Sequence, residues 1–195
     1  SNNEKYKFFN NNNNTITKNN DDNYDNYFIF INDILISNQH KININLNNKI
    51  CICFFGLTRS LKYTIDSIKQ NILNTLIINN YYYDIYMHTY DLKYINNKRA
   101  LEINIKLDHL EYKLLNPDYI EISNQDNFDK TIDIENYLKH GNAWSESPDP
   151  NNTLLNLLRQ LNSIKKVFNL TLKQNIKYNS YLFLRPDMEY LNEIP

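Results

Sequence analysis

Charged side chains follow an apolar run near the end of this 195-residue chain. Residues 181–184 (Tyr-Leu-Phe-Leu) are apolar, and residues 185–189 (Arg-Pro-Asp-Met-Glu) come directly after them. Asp187 and Glu189 are two positions apart, so an extended chain would aim both carboxylates the same way. Paired carboxylates are the hard oxygen ligands that Mg²⁺ and Mn²⁺ prefer. The spacing is therefore consistent with a metal site, but a polar turn made rigid by its proline is the commoner origin of such short acidic motifs.

Two more polar segments follow apolar runs earlier in the chain. Thr58 and Arg59 come after the run 50–55 and have the donors to bind a base, a ribose or a diphosphate, although an ordinary capped turn with an exposed arginine explains them equally well. Asp91 has an acceptor for a ribose hydroxyl or a base edge. His88 lies near the end of an apolar run, where a lone histidine is more often a hydrogen-bonded structural residue than a base or a metal ligand.

Apolar runs and helical patterns alternate along residues 49–195. Strand-like runs cover 50–55, 83–88, 119–122 and 180–184. The first run is continuously apolar, which is typical of a strand covered on both faces in a parallel sheet. This alternation predicts an α/β fold with a mostly parallel sheet.

Helical spacing is clearest in two segments. After Ser60, placed as an N-cap, the apolar positions are Leu61, Ile65, Ile68, Ile72 and Leu76. A second helix, capped at Asn152 or Thr153, carries Leu154, Leu157, Leu158, Leu161, Ile164 and Phe168 on one face. Gln160 borders that face, where it either is solvated or looks into a cleft. Weaker patterns predict a loop up to about residue 106, a short helix over 107–115 and a helix over 125–140.

The polar segments are predicted to meet at one edge of the sheet. Ligands of open parallel sheets bind at the carboxyl ends of the strands, and residues 58–59, 88–91 and 185–189 all follow such ends. The loop after the first strand has one glycine, Gly56, and matches neither the dinucleotide fingerprint nor the phosphate loop of kinases. We therefore expect one composite site that does not depend on a glycine-rich phosphate loop.

Composition excludes some partners. A formal net charge of −1 gives no basic footprint, so we expect no nucleic-acid partner. The abundance of Asn, Ile, Tyr and Lys is typical of A/T-rich coding sequence rather than of a particular function. Cys51 and Cys53 would share one face of a strand, which predicts two buried, reduced side chains rather than a disulfide. No apolar stretch is long enough to cross a bilayer and no export signal is visible, so a cytoplasmic location is expected.

The chain divides into three parts. Residues 1–26 are polar and are predicted to be a mobile leader. Within 27–48, apolar residues alternate with asparagine over 42–46, which predicts a β-hairpin or an edge strand. Residues 49–195 then form the α/β domain.

Four segments carry a family resemblance. They read Ile-Cys-Ile-Cys-Phe-Phe-Gly-Leu-Thr-Arg-Ser (50–60), Tyr-Asp-Ile-Tyr-Met-His-Thr-Tyr-Asp (83–91), Arg-Gln-Leu-Asn-Ser-Ile-Lys-Lys-Val (159–167) and Phe-Leu-Arg-Pro-Asp (183–187). In this order they resemble segments of GT-A type glycosyltransferases from giant viruses and from some algae and bacteria. The resemblance spans about residues 49–190, and the ordered set is more specific than any single segment.

The resemblance implies a Rossmann-like GT-A fold, a nucleotide-sugar donor and a divalent cation, Mn²⁺ or Mg²⁺, held by an Asp-x-Asp-type motif. Residues 185–187 occupy the place of that motif, with Asp187 at its last carboxylate. Arg185 stands where the first aspartate usually lies, and its charge would partly replace that of the metal. Thr58 and Arg59 match the first donor-binding loop.

The remaining matches complete the expected donor site. His88 and Asp91 match the end of the second strand, and Gln160 matches the helix that leads into the metal motif. The acceptor-binding half and the catalytic base of such enzymes commonly lie beyond this point, so we expect the chain to be a fragment or a reduced homologue. No catalytic residue is assigned, and the oligomeric state is left open.

These observations predict transfer of a sugar from a nucleoside-diphosphate sugar to a glycan, lipid or protein acceptor. Thr58, Arg59 and Asp91 would hold the nucleotide, and Asp187 with Glu189 would hold the metal. A non-catalytic module of the same fold, which binds a nucleotide or a glycan or serves a structural role, is the alternative. A viral source would place the protein in the host cytoplasm.

Overall fold

The computed structural model describes residues 48–195. The predicted leader over 1–26 lies outside the described residues, as does the predicted hairpin or edge strand over 27–48 except for its last residue.

The described part of the chain contains six strands and five α-helices. The strands are β1 (Lys49–Phe55), β2 (Tyr82–Asp91), β3 (Tyr94–Asn97), β4 (Glu102–Lys106), β5 (Tyr119–Asn124) and β6 (Ser180–Leu184). The α-helices are α1 (Leu61–Ile68), α2 (Thr75–Ile78), α3 (Gln125–Asp129), α4 (Ile134–Leu138) and α5 (Pro150–Leu172). A π-helical stretch, Lys69–Asn74, joins α1 to α2, and 3₁₀ turns cover Lys98–Ala100 and Glu111–Leu115.

The main sheet is parallel and has four strands in the order β5-β2-β1-β6. Its register places Phe55 opposite His88 and Phe54 opposite Leu184. The carboxyl ends of these strands therefore meet at one edge of the sheet. Numbered along the chain, the strands of this sheet run 3-2-1-4, an order compatible with a Rossmann-like fold.

Both faces of the sheet are covered, as the continuous apolar run of β1 predicts. Ile50, Ile52 and Phe54 share one buried cluster with residues of α1, and the alternate residues Cys51, Cys53 and Phe55 share another with Val167 of α5. The two cysteines are free and fully buried, and their Sγ atoms lie 3.5 Å apart. The prediction of two buried, reduced cysteines is confirmed.

The segment between β2 and β5 differs from its predicted structure. The stretch up to residue 106 was expected to be a loop, but β3 and β4 pair there as an antiparallel hairpin. The sequence Glu-Ile-Asn-Ile-Lys at 102–106 alternates polar and apolar residues, which is the strand signal that the loop prediction overlooked. The helix predicted over 107–115 is reduced to the 3₁₀ turn at its end, and that over 125–140 is divided into α3 and α4.

Helix α5 begins earlier than predicted and buries a different face. The side chain of Asp149, rather than Asn152 or Thr153, is the cap, and it accepts the backbone N–H of Asn152 at 3.4 Å. The buried positions of α5 are Thr153, Leu154, Ser163, Val167 and Thr171. Leu161 and Phe168, which belong to the predicted apolar face, are 51% and 39% exposed. Small side chains therefore face the sheet, and the larger leucines flank them.

Candidate functional site

The loop after β1 is held by bonds from both neighbouring elements. Gly56 has a φ of +100°, a left-handed conformation that strains residues with a side chain. Its N–H group lies 2.8 Å from Oγ of Ser163 on α5 and 3.2 Å from the carbonyl oxygen of His88 on β2. Thr58, which follows in this loop, accepts the N–H of Leu61 at 2.9 Å and is buried. The backbone that precedes Arg59 is therefore held in a fixed position by these bonds.

A cavity of about 160 Å³ opens at this edge of the sheet. Three of the predicted donor-binding residues, Thr58, Arg59 and Asp91, line it. The other lining residues come from the ends of β1, β2 and β5 and from the segment after the hairpin: Leu57, Thr89, Tyr90, Leu92, Leu107, Asp108, His109, Leu110, Tyr112 and Ile122. The structure thus brings the first two polar segments of the sequence into one concave surface with an apolar wall.

Arg59 connects this cavity to the segment after β6. Its Nε donates to Oδ2 of Asp187 at 3.2 Å, and its Nη1 donates to Oε2 of Glu102 on β4 at 2.5 Å. Arg185 forms a two-pronged bond with the same aspartate, Nε to Oδ1 at 2.8 Å and Nη2 to Oδ2 at 2.6 Å. This pairing raises the pKa of Arg185. The Asp187 side chain is only 5% exposed, so two guanidinium groups enclose one carboxylate.

The turn that carries these residues is fixed by α1 and by Tyr190. Oγ1 of Thr64 donates to the carbonyl oxygen of Pro186 at 2.6 Å. The hydroxyl of Tyr190 accepts the N–H of Arg185 and donates to its carbonyl oxygen, both at 3.0 Å. Burial raises the pKa of Tyr190, which keeps the hydroxyl protonated and able to serve as a donor. The backbone of Arg185 is therefore held independently of its ion pair.

This arrangement does not fit the predicted divalent cation. The prediction needed an extended chain, but residues 186–187 form a turn and Glu189 is exposed. Both oxygens of Asp187 are bonded to guanidinium groups, and a cation would have to displace them. Within residues 48–195 no three His, Cys, Asp or Glu side chains form a group able to hold a metal ion. We therefore derive no step through a metal at Asp187 and Glu189.

His88 lies inside the protein rather than on the cavity. Its side chain is fully buried, and its Nδ1 and Nε2 lie 2.7 Å from Oγ of Ser163 and 2.9 Å from Oγ of Ser123. Burial lowers the pKa of His88 to about 4, so the ring is neutral. The structure thus gives this predicted donor-binding residue the structural role that the sequence left open, since it links β2 to α5 and β5.

Gln160 also stands apart from the cavity. It lies on α5, one turn before Ser163, and it is partly buried. It is not among the described residues that line the cavity. The cavity wall near Tyr112 and Ile122 belongs to the opposite face of the sheet from α5, because Ile120 of β5 packs in the α1 cluster while Ser123 bonds to His88. The structure therefore does not place Gln160 on the wall of this cavity.

Sequence reasoning missed several residues of the site. Ser163 was quoted within the 159–167 segment, but nothing in its spacing singled it out as the partner of Gly56 and His88. Glu102 lies on the hairpin that was predicted to be a loop, and the polar and apolar alternation of β4 is the signal that would have drawn attention to it. Asp108 lines the cavity from a segment without a recognisable motif.

Comparison with protein-family models, with curated proteins and with solved structures finds no match for this chain. In residues 48–195 no helix is long and apolar enough to span a membrane.

Proposed function

We propose that the chain binds a nucleoside-diphosphate sugar at the carboxyl edge of its sheet and transfers the sugar to a glycan, lipid or protein acceptor. One observation carries the binding part of this proposal. Thr58 and Arg59 from the loop after β1 and Asp91 from the end of β2 line a single cavity at the sheet edge where α/β proteins bind ligands.

Four of the lining residues have a defined role in this proposal. The Asp91 carboxylate accepts from ribose hydroxyls or from N–H groups of the base, and Tyr112 and Leu110 contribute apolar surface against a ring. Arg59 stands between the cavity and Asp187, so a diphosphate that leaves the cavity in this direction meets a guanidinium group. The nucleotide would therefore lie with its base in the cavity and its diphosphate towards the turn after β6.

Glycosyl transfer, as opposed to nucleotide binding alone, is supported by the ordered set of four segments that resembles GT-A type glycosyltransferases. Two of these segments end in the residues that line the cavity, and the last contains Asp187. The parallel sheet with helices on both faces is compatible with such a fold. No catalytic base is assigned.

A non-catalytic nucleotide- or glycan-binding module is the second candidate, and the pairing of charges favours it. Arg59, Arg185, Asp187 and Glu102 are bonded to one another at the site. Such a closed ion-pair network is also typical of structural sites. The two candidates differ in whether the bound donor is turned over.

A thermal-shift titration with UDP-, GDP- and CMP-sugars tests donor binding. A ligand at a hundred times its Kd adds about 2.7 kcal/mol of stability, which raises the melting temperature by about 5–10 °C. Asp91→Asn should reduce the shift. Asp66→Asn on the exposed face of α1 is the matched control and should keep it. The absence of a shift with every donor, in protein shown to be folded, would overturn the donor site.

The same samples separate the two candidates. Release of free nucleoside diphosphate from the donor that gives the shift, measured by chromatography in the presence of mixed glycan, lipid and peptide acceptors, is expected of the enzyme. A donor that binds and is recovered intact would favour the non-catalytic module.

A further inference from the structure

The negative charge of Asp187 is already balanced by its ion pairs with Arg59 and Arg185. Arg185 donates one N–H bond to each carboxylate oxygen of Asp187, and Arg59 donates a third bond to Oδ2. A divalent cation at this carboxylate would lie beside two guanidinium groups, and like charges at such short range repel. The carboxylate is thus better suited to orient cations than to bind another one.

Each guanidinium group keeps donors for a further anion. A guanidinium carries five N–H groups in a planar fork. Within residues 48–195, Nη1 of Arg185 and Nη2 of Arg59 make no hydrogen bond, and the two side chains are 36% and 23% exposed. Phosphate oxygens match this geometry in the same way as carboxylate oxygens do.

A carboxylate oxygen of Glu102 accepts a hydrogen bond from Arg59, as a phosphate oxygen would. Its Oε2 lies 2.5 Å from Nη1 of Arg59, at the end of a hairpin strand whose side chains are otherwise largely exposed. Glu102 is itself 27% exposed, so the carboxylate can leave this contact without opening the core. An incoming anion and Glu102 therefore compete for one guanidinium group.

From these contacts we propose that Arg59 and Arg185 bind the diphosphate of the ligand without a divalent cation, that Asp187 orients both guanidinium groups, and that Glu102 holds Arg59 until the diphosphate displaces it. The inference rests on the proposed nucleotide site and names how that site binds phosphate. Asp187 and Glu102 are positioning residues in this scheme, and the two arginines contact the ligand.

The charges of the group are consistent with a site that is switched by ligand. Arg59 and Arg185 contribute two positive charges, and Asp187 and Glu102 contribute two negative ones. Without ligand the group is neutral. When Glu102 is displaced, the remaining three side chains carry a net positive charge that faces the diphosphate.

Isothermal titration calorimetry tests the proposal on the full chain. The probes are UDP, GDP, CDP and inorganic pyrophosphate, each titrated in EDTA and in MnCl₂. We expect binding with an affinity that EDTA leaves unchanged. Arg185→Gln should weaken it about ten-fold or more, since it removes a charge-assisted contact.

Glu102→Gln gives the result that a metal site would not produce. Removal of a competing, partly exposed carboxylate should tighten binding about three-fold, whereas removal of a carboxylate near a bound metal would weaken it. Lys177→Gln, at the amino end of β6, is the matched control for the lost cation, and Glu135→Gln on α4 is the control for the lost anion. Both controls should bind as the unsubstituted protein does.

Two outcomes would overturn the inference, and they are distinguishable. Nucleoside-diphosphate binding that requires Mn²⁺ and is weakened by Glu102→Gln would replace the guanidinium site by a metal site and leave the proposed function standing. The absence of binding of every nucleoside diphosphate, with and without Mn²⁺, would overturn the proposed function together with this inference. Glu102→Gln keeps both arginines, so its result does not depend on whether Arg185→Gln folds.

Discussion

His88 shows how the surroundings of a single side chain set its chemistry. Its ring is enclosed by the hydroxyls of Ser123 and Ser163, and the charged pair of Glu121 and Lys166 lies nearby on β5 and α5. Burial is the main cause of its lowered pKa, which Glu121 partly opposes. The neutral ring keeps Gly56 and the Thr58–Arg59 loop in place through Ser163, so His88 supports the cavity without lining it.

This environment predicts a loss of stability in mild acid. The pKa of His88 lies at about 4 in the folded protein, below its ordinary value of 6.5. As the pH falls from 6.5 towards 4, the unfolded chain takes up a proton that the folded ring resists, so stabilisation present above pH 6.5 is lost. Urea unfolding should show about 1–2 kcal/mol less stability at pH 5 than at pH 7.5 from this group.

Substitution identifies the group responsible. His88→Gln should be less stable at pH 7.5 and should lose less on acidification than the unsubstituted protein. His140→Gln, which removes an exposed histidine, is the matched control. The bond to Lys166 lowers the pKa of Glu121 below its ordinary value of 4.5, so its own contribution is lost mainly below pH 4.5, outside the range from pH 7.5 to 5 that this measurement compares. An unchanged pH dependence in His88→Gln would contradict the assignment.

At the scale of elements, α5 shows that the apolar residues of a helix do not by themselves define its buried face. Ser163 packs against the sheet because it is small and because its hydroxyl bonds to Gly56, directly after β1, and to His88 of β2. Val167 and Thr171 continue the same face at helical spacing. The leucines that dominated the sequence pattern therefore lie partly at the flanks.

Two substitutions on α5 test this assignment. Val167 is fully buried, so Val167→Ala removes two methyl groups from the core and should cost about 2 kcal/mol of unfolding free energy. Leu161 is 51% exposed, and Leu161→Ala is the matched control, expected to cost less than about 0.5 kcal/mol. Denaturant unfolding measures the free energy of unfolding of both variants. A larger loss of stability in Leu161→Ala than in Val167→Ala would show that the helix buries the face predicted from the sequence.

At the scale of the whole molecule, the segment after β6 returns to the first helix. The N–H of Tyr190 donates to Oγ of Ser67 at 3.1 Å, and the N–H of Ile194 donates to the carbonyl oxygen of Asn71 at 3.1 Å. Asn71 lies in the π-helical stretch after α1, where the wider turn presents its backbone to this segment. The turn that carries Arg185 is thus closed on α1 by contacts between distant parts of the chain.

Tyr190→Phe tests the importance of this closure. The substitution keeps the ring but leaves the N–H and the carbonyl of Arg185 without their partner, which should cost about 1–2 kcal/mol. Tyr63→Phe, at a side chain that is 75% exposed, should change the stability little. Thermal unfolding compares the two, and equal melting temperatures for both variants would show that water replaces the hydroxyl without cost.

The sequence by itself determined the order along the chain of the four strands of the main sheet and the continuously apolar character of β1. The spacing of apolar residues in a strand or a helix is a local property, so it can be recognised in the sequence without knowledge of the tertiary contacts. The proximity of Thr58, Arg59 and Asp91 followed from the sequence for the same reason, because parallel strands bring their carboxyl ends to one edge.

Only the tertiary structure decided what each polar residue contacts. The spacing of Asp187 and Glu189 is compatible with a metal pair as well as with the commoner polar turn, and the choice depended on Arg59, which lies more than a hundred residues away. The hydrogen bonding of His88 depended on Ser163 of α5. The second partner of Arg59, Glu102, came from a hairpin whose sequence pattern is weak. Which side chains pair depends on their distance in the folded protein rather than on their distance along the sequence. The pairing of charges is therefore what distinguishes the ion-pair network of this site from a metal site.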